Sequence, residues 1–181
     1  MPESCPMRVS TLRQKGFTLI EMIITVSIML VILGGSIAAF INFNDKQVVQ
    51  ATASEVKQVL KSARTKARVR DNTDQAGGCV LQGYKVETNG SSIETKLLCG
   101  PGKFSITEGQ NRDTYQVPTG ITVTAMDISF YTLLGSAEVT VPADNIIRIN
   151  GGSKYYRFEI QGTGEISEGC FVNGPASDTC L

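Results

Sequence analysis

Lys15-Gly16-Phe17-Thr18-Leu19-Ile20-Glu21 opens a run of 25 residues, Phe17 to Ile41, in which Glu21 is the only charge. The run is long enough to cross a hydrocarbon core of about 30 Å, which takes roughly 20 apolar residues as a helix. A carboxylate near the middle of such a helix costs about 2.5–3.5 kcal/mol on insertion scales, so one retained there calls for a partner. The Gly16-Phe17 step just before it reads as a processing site.

Residues 1–16 are polar and basic, with Arg8, Arg13 and Lys15 against Glu3. They hold no apolar stretch, so they do not form an ordinary secretory signal peptide, whose cleavage site follows the apolar segment. Cys5 is not a lipoprotein site for the same reason. The basic flank predicts a cytoplasmic N-terminus, with everything after Ile41 outside the cytoplasm.

Gly16-Phe17-Thr18-Leu19-Ile20-Glu21, together with the basic leader and the apolar run, resembles the class III signal of type IV pilins and pseudopilins. The resemblance implies that prepilin peptidase cuts after Gly16 and methylates the new amino group of Phe17. It implies membrane lipid as the environment before assembly. Other pilin or pseudopilin subunits and an inner-membrane assembly platform are the partners it implies afterwards. Glu21, fifth in the mature chain, would then meet the Phe17 amine of a neighbouring subunit. An amine and a carboxylate tolerate an apolar core only as a hydrogen-bonded pair, because removing one leaves an uncompensated charge. One position departs from the family: Ala38 stands where many pilins carry a helix-kinking Pro. Gly34-Gly35 is the helix-weakening step instead, at about 1 kcal/mol per Gly.

The helical pattern continues past the span. Val49, Ala53, Val56, Leu60, Ala63 and Ala67 recur at three- and four-residue steps, an amphipathic stripe. No Pro interrupts Phe17 to Arg70, and Asp71-Asn72 and Gly77-Gly78 are stop signals. Beyond Gly78 the pattern becomes period two and β-branched. Strands are expected at Val80–Glu87 and Ile93–Leu98, joined by the Asn89-Gly90-Ser91-Ser92 hairpin. Further strands are expected at Phe104–Thr107, Ile121–Phe130, Ala137–Val141, Ile146–Ile149 and Tyr155–Gln161, the last turning at Gly162-Thr163-Gly164 into Glu165-Ile166-Ser167. Gly100-Pro101-Gly102 reads as a turn. The expected class is α+β, a long N-terminal helix packed on a small antiparallel β domain, the pilin fold. The expected division is a leader at 1–16, a membrane or filament-core helix at 17–41, its amphipathic extension at 42–72 and an extracytoplasmic β-rich domain at 73–181.

Leu60 to Arg70, and the later segments Ile128-Ser129-Phe130 with Gly135 and Tyr156-Arg157-Phe158-Glu159-Ile160 through Gly164-Glu165-Ile166, are similar to the FimT/GspH group of minor pilins and pseudopilins. That resemblance implies a minor subunit of a type IV pilus or a type II secretion pseudopilus.

The 17 basic and 17 acidic residues balance. The leader carries three of the former and one of the latter, so its removal leaves 14 against 16, which argues against a globally basic nucleic-acid binder. Four cysteines follow the leader, Cys79, Cys99, Cys170 and Cys180. An even number outside the cytoplasm suggests disulfides, with three possible connectivities. The spacing favours Cys79–Cys99 and Cys170–Cys180. Zinc is disfavoured, since the thiols lack a C-x-x-C pair and the chain has no His.

No catalytic set emerges: His is absent, and no Ser lies in a nucleophile motif. No cofactor or metal is expected. Asp178 with Glu168 reads as a solvated loop rather than a calcium site, and Asn89-Gly90-Ser91 as a turn rather than a glycan acceptor. Lys57, Lys61, Arg64 and Arg68 share one helix face. One reading is an electrostatic track for nucleic acid in a DNA-uptake filament. The other is a solvated face or subunit contact, favoured because no aromatic residue interleaves it. Lys154 and Arg157, beside Tyr155 and Tyr156, carry the same two readings.

Overall fold

The computed structural model describes residues 16–70, 80–100, 107–132, 136–175, 177, 179 and 180. The chain divides into two compact units, Met1–Ile41 and Asn42–Leu181. The leader up to Lys15, the stop signals Asp71-Asn72 and Gly77-Gly78, Cys79, Pro101-Gly102, Phe104, Gly135 and Asp178 lie outside the described residues.

One helix, α1, covers Leu19–Val69. Thr18 starts it by accepting a hydrogen bond from the Glu21 backbone N–H (3.3 Å), the N-cap geometry. Helical backbone continues across Gly34-Gly35. At the far end Arg70 takes a left-handed conformation (φ 51°) and its N–H bonds the Ala67 carbonyl, closing the last turn without a glycine.

Within Asn42–Leu181 the chain builds two antiparallel sheets. The strands are β1 Leu81–Asn89, β2 Ser92–Cys99, β3 Thr107–Gln116, β4 Ile121–Val123, β5 Asp127–Tyr131, β6 Ala137–Val141, β7 Ile146–Gly151, β8 Lys154–Glu159 and β9 Cys170–Val172. The five-stranded sheet runs β3-β2-β1-β5-β6 and the four-stranded sheet β4-β7-β8-β9. The α+β expectation holds, and the β1–β2 hairpin turns at Gly90-Ser91 with Asn89 opposite Ser92.

All six residues of the helical stripe are buried, each at most 1% exposed. They pack with Tyr84, Val86, Ile93, Ile128 and Phe130 of the larger sheet and Ile147, Ile149, Tyr156 and Phe158 of the smaller one in a single core. Alternate residues of β5, β7 and β8 supply this face, as the two-residue period of a strand requires. Gly151 permits a close approach of sheet to helix: a Cβ there would lie 2.6 Å from Val49 Cγ2.

Three strand expectations need correction. No strand is expected over Glu108–Gln116, but β3 occupies it. This polar edge strand pairs only with β2, so ladder hydrogen bonds rather than an apolar face hold it. Ile121–Phe130 reads as one strand but is two, in different sheets. Thr124 N–H bonds the Arg148 carbonyl of the small sheet, and Met126 N–H bonds Thr88 Oγ1 of the large one, so the chain crosses between sheets there. Finally, β9 has no apolar period to reveal it. Glu165–Ser167 contributes only an isolated bridge, Ile160 to Ile166.

Candidate functional site

The N-terminal apolar helix presents its side chains outward. Phe17 is 76% exposed, and every large hydrophobic residue from Leu19 to Phe43 that the structure describes is more than half exposed. None of its most apolar 18-residue window is buried in the fold, and by length and composition the helix can cross a membrane.

The polar groups of this stretch divide in an informative way. Thr25 Oγ1 donates to the Met22 carbonyl (3.0 Å), Ser27 Oγ to Ile23 (2.7 Å) and Ser36 Oγ to Ile32 (2.8 Å). Each hydroxyl is thus satisfied by its own helix, as an apolar medium demands. Thr18 Oγ1 is occupied by the cap. The Glu21 carboxylate is left: among the described residues no side chain donates to it. Thr18-x-x-Glu21 also has capping-box spacing, a local helix-start signal that overlaps the processing motif. A carboxylate in the first turn also suits the positive end of the helix dipole.

The basic helix face divides differently from its spacing. Lys57 Nζ donates to the Glu168 carbonyl (2.6 Å) and to Tyr156 Oη (3.3 Å). Arg64 Nη2 donates to the Thr163 carbonyl (3.1 Å). Both cations therefore tie α1 to the loop between β8 and β9. Lys61 and Arg68 are exposed. Arg157 lies in register opposite Arg148 and Cys170, while Lys154 faces a groove with Lys57 and Tyr156.

Cys170 and Cys180 form a disulfide, with Cα atoms 5.6 Å apart, the pairing that the spacing favours. Cys99 is also disulfide-bonded; Cys79 is outside the described residues. Among the described residues no cluster of His, Cys, Asp or Glu could hold a metal ion.

The strongest electrostatic feature lies on the larger sheet. Lys85 Nζ reaches Glu108 (2.6 Å), Glu87 (3.1 Å) and Asp127 (3.2 Å), and Lys96 pairs with Glu87. Burial alone would lower the Lys85 pKa, but hydrogen bonds to the three carboxylates outweigh it and hold the ammonium well above its usual range. Burial pushes the Glu87 carboxyl up, yet hydrogen bonds from Lys96 and Lys85 bring it below its usual range. The Lys85 hydrogen bond lowers Glu108 as well. The network straps edge strand β3 to β1, β2 and β5. With cations already paired among the acids, it is structural.

The protein thus joins an α+β domain to an outward-facing apolar helix whose first turn holds a carboxylate without a side-chain donor among the described residues. Residues 11–37 match the family model described as the prokaryotic N-terminal methylation motif. The chain therefore carries the class III signal of type IV pilins, which supports a type IV pilin-like structural subunit. That signal implies processing by prepilin peptidase and assembly with other pilins, and with the apolar helix it fits a membrane-anchored protein. No curated protein and no solved structure matches the chain.

Proposed function

We propose that this protein is stored in the inner membrane as a single-pass subunit and polymerises through its N-terminal helix into a type IV pilus or type II secretion pseudopilus, at a minor position. In this reading prepilin peptidase cuts between Gly16 and Phe17 on the cytoplasmic side and methylates the Phe17 amine. The assembly platform then draws the helix from lipid into the filament. Residues 42–181 face outward, where the Cys170–Cys180 bridge is stable. The minor position rests on the resemblance of Leu60–Arg70 and the later strands to the FimT/GspH group.

One observation carries the proposal: of the polar side chains in the apolar stretch, only the Glu21 carboxylate has no partner among the described residues. In a bundle of such helices the complementary group is the Phe17 amine created by cleavage on a neighbour. The pair sets the axial register, since a slip strands both charges. Glu21→Ala removes the anion while improving the apolar character of the span. Membrane fractionation should find it inserted and processed as the wild type is, and sheared filaments should lack it. Incorporation at the wild-type level would reject the register role.

The alternative, a DNA-binding minor pilin using the Lys57, Lys61, Arg64 and Arg68 face, draws on Lys61 and Arg68 alone as exposed cations, because the other two are engaged by loop carbonyls. Filament assembly is the reading the geometry supports better.

A further inference from the structure

Lys46, Lys57 and Lys154 converge on a groove of about 710 Å³ between α1 and the β8–β9 edge, within the unit Asn42–Leu181. Its wall is aromatic. Tyr156 and Phe171 meet edge to face with ring centroids 5.1 Å apart. Lys46 Nζ stands 4.9 Å from the Phe171 centroid and Lys57 Nζ 5.4 Å from that of Tyr156. Lys57 is pinned by the Glu168 carbonyl, whereas Lys46 and Lys154 make no ion pair with any described carboxylate. Two acids stand near: exposed Glu168 in the lining, and Asp45, whose Oδ2 is 3.6 Å from where a Gly152 Cβ would be. Gln50, Asn173 and Ser153 add amides and a hydroxyl to the rim, beside Gly169, Cys170 and Val172.

We propose that this groove binds a short acidic oligosaccharide. Half-buried Phe171 offers ring surface to the apolar faces of sugar rings. The amides and the hydroxyl match sugar hydroxyls, and lysines contributed by two separate elements receive carboxylates. The volume is that of a small-ligand site, about 300–1,000 Å³, and the cations converge rather than run in a line as a nucleic-acid track requires. No arginine lines the groove, so it lacks the planar fork that grips phosphate bidentately. The inference stands apart from the filament reading, since neither Phe17 nor Glu21 lines the groove.

The test is calorimetric titration of the full chain in detergent micelles with trigalacturonate, with maltotriose as the neutral counterpart and a short oligothymidylate as the competing polyanion. Trigalacturonate should bind, weaken with added salt and lose about tenfold or more in affinity, which is 1.4 kcal/mol, in a Lys46→Gln, Lys154→Gln double variant. Lys46 is exposed and Lys154 half-buried, and circular dichroism verifies the fold. Gln50→Ala, on the exposed face of α1, provides a second loss that leaves charge unchanged. A Lys61→Gln, Arg68→Gln variant should bind as the wild type does. Absent trigalacturonate binding, equal binding of maltotriose, indifference to the lysine pair, or tighter oligothymidylate binding that depends on Lys61 and Arg68 would each overturn the proposal.

Discussion

Leu60→Ala tests the division of α1 into a half that joins the domain core and a half that does not. Leu60 is fully buried, in one core with residues from both sheets. The substitution removes three carbons, about 2.4 kcal/mol of transfer free energy at about 0.8 each. Packed from both sheets, the site collapses only partly, which adds about 1–2 kcal/mol of cavity cost. The expected loss is therefore about 3.5–4.5 kcal/mol, a large share of the roughly 5–15 kcal/mol that holds a small domain folded. Urea titration of the full chain in micelles, followed by tyrosine fluorescence since the chain has no Trp, reads it directly. Leu30→Ala is the matched control: Leu30 is 65% exposed, so its loss should leave the transition unmoved. A loss below about 1 kcal/mol for Leu60→Ala, against about 2–5 for buried leucines, would refute the packing argument. So would an equal loss for Leu30→Ala.

Two further outcomes follow from the site geometry. Glu87 and Glu108 have folded pKa values held below the ordinary 4.5. They contribute stability that is present above that value and lost as pH falls through their folded values. The thermal midpoint should therefore drop on acidification below pH 4.5, and Lys85→Met should flatten that dependence; an equally steep profile in the variant would show that other acids set it. Replacing Cys170 and Cys180 together by Ser opens a ten-residue loop. On the chain-entropy model this should cost about 2–3 kcal/mol in the same urea assay.

Much of the architecture is legible in local pattern. The stripe from Val49 to Ala67 repeats at helical steps because one face is buried, and all six of its residues are in the core. Gly90 marks a hairpin because a two-residue turn favours left-handed backbone at its first position, and Gly90 has φ 60°. Illegible segments are those whose structure is set from outside. Strand β3 has almost no apolar residue and is held by its ladder with β2 and by Glu108 against Lys85 and Lys96. The break between β4 and β5 depends on which sheet claims each backbone group, which no local period encodes. The basic face shows the same limit: spacing puts Lys57 and Arg64 beside Lys61 and Arg68, but only the fold brings the Glu168 and Thr163 carbonyls to the first two. At the amino terminus the reverse holds. Thr18 and Glu21 carry a local capping signal as well as the processing motif, and the more conspicuous motif hides the cap.

In the proposed function the Gly16-Phe17 step and Glu21 belong to one assembly device. Intact-mass and amino-terminal analysis of the chain recovered from membranes, with and without a co-expressed prepilin peptidase, tests it most directly. The mature protein should begin at Phe17 and carry one methyl group on its amine, formed only when the peptidase is present. Gly16→Leu should leave the chain full length. A protein that keeps residues 1–16 in the presence of the peptidase, or is cut beyond Ile41, would contradict this reading.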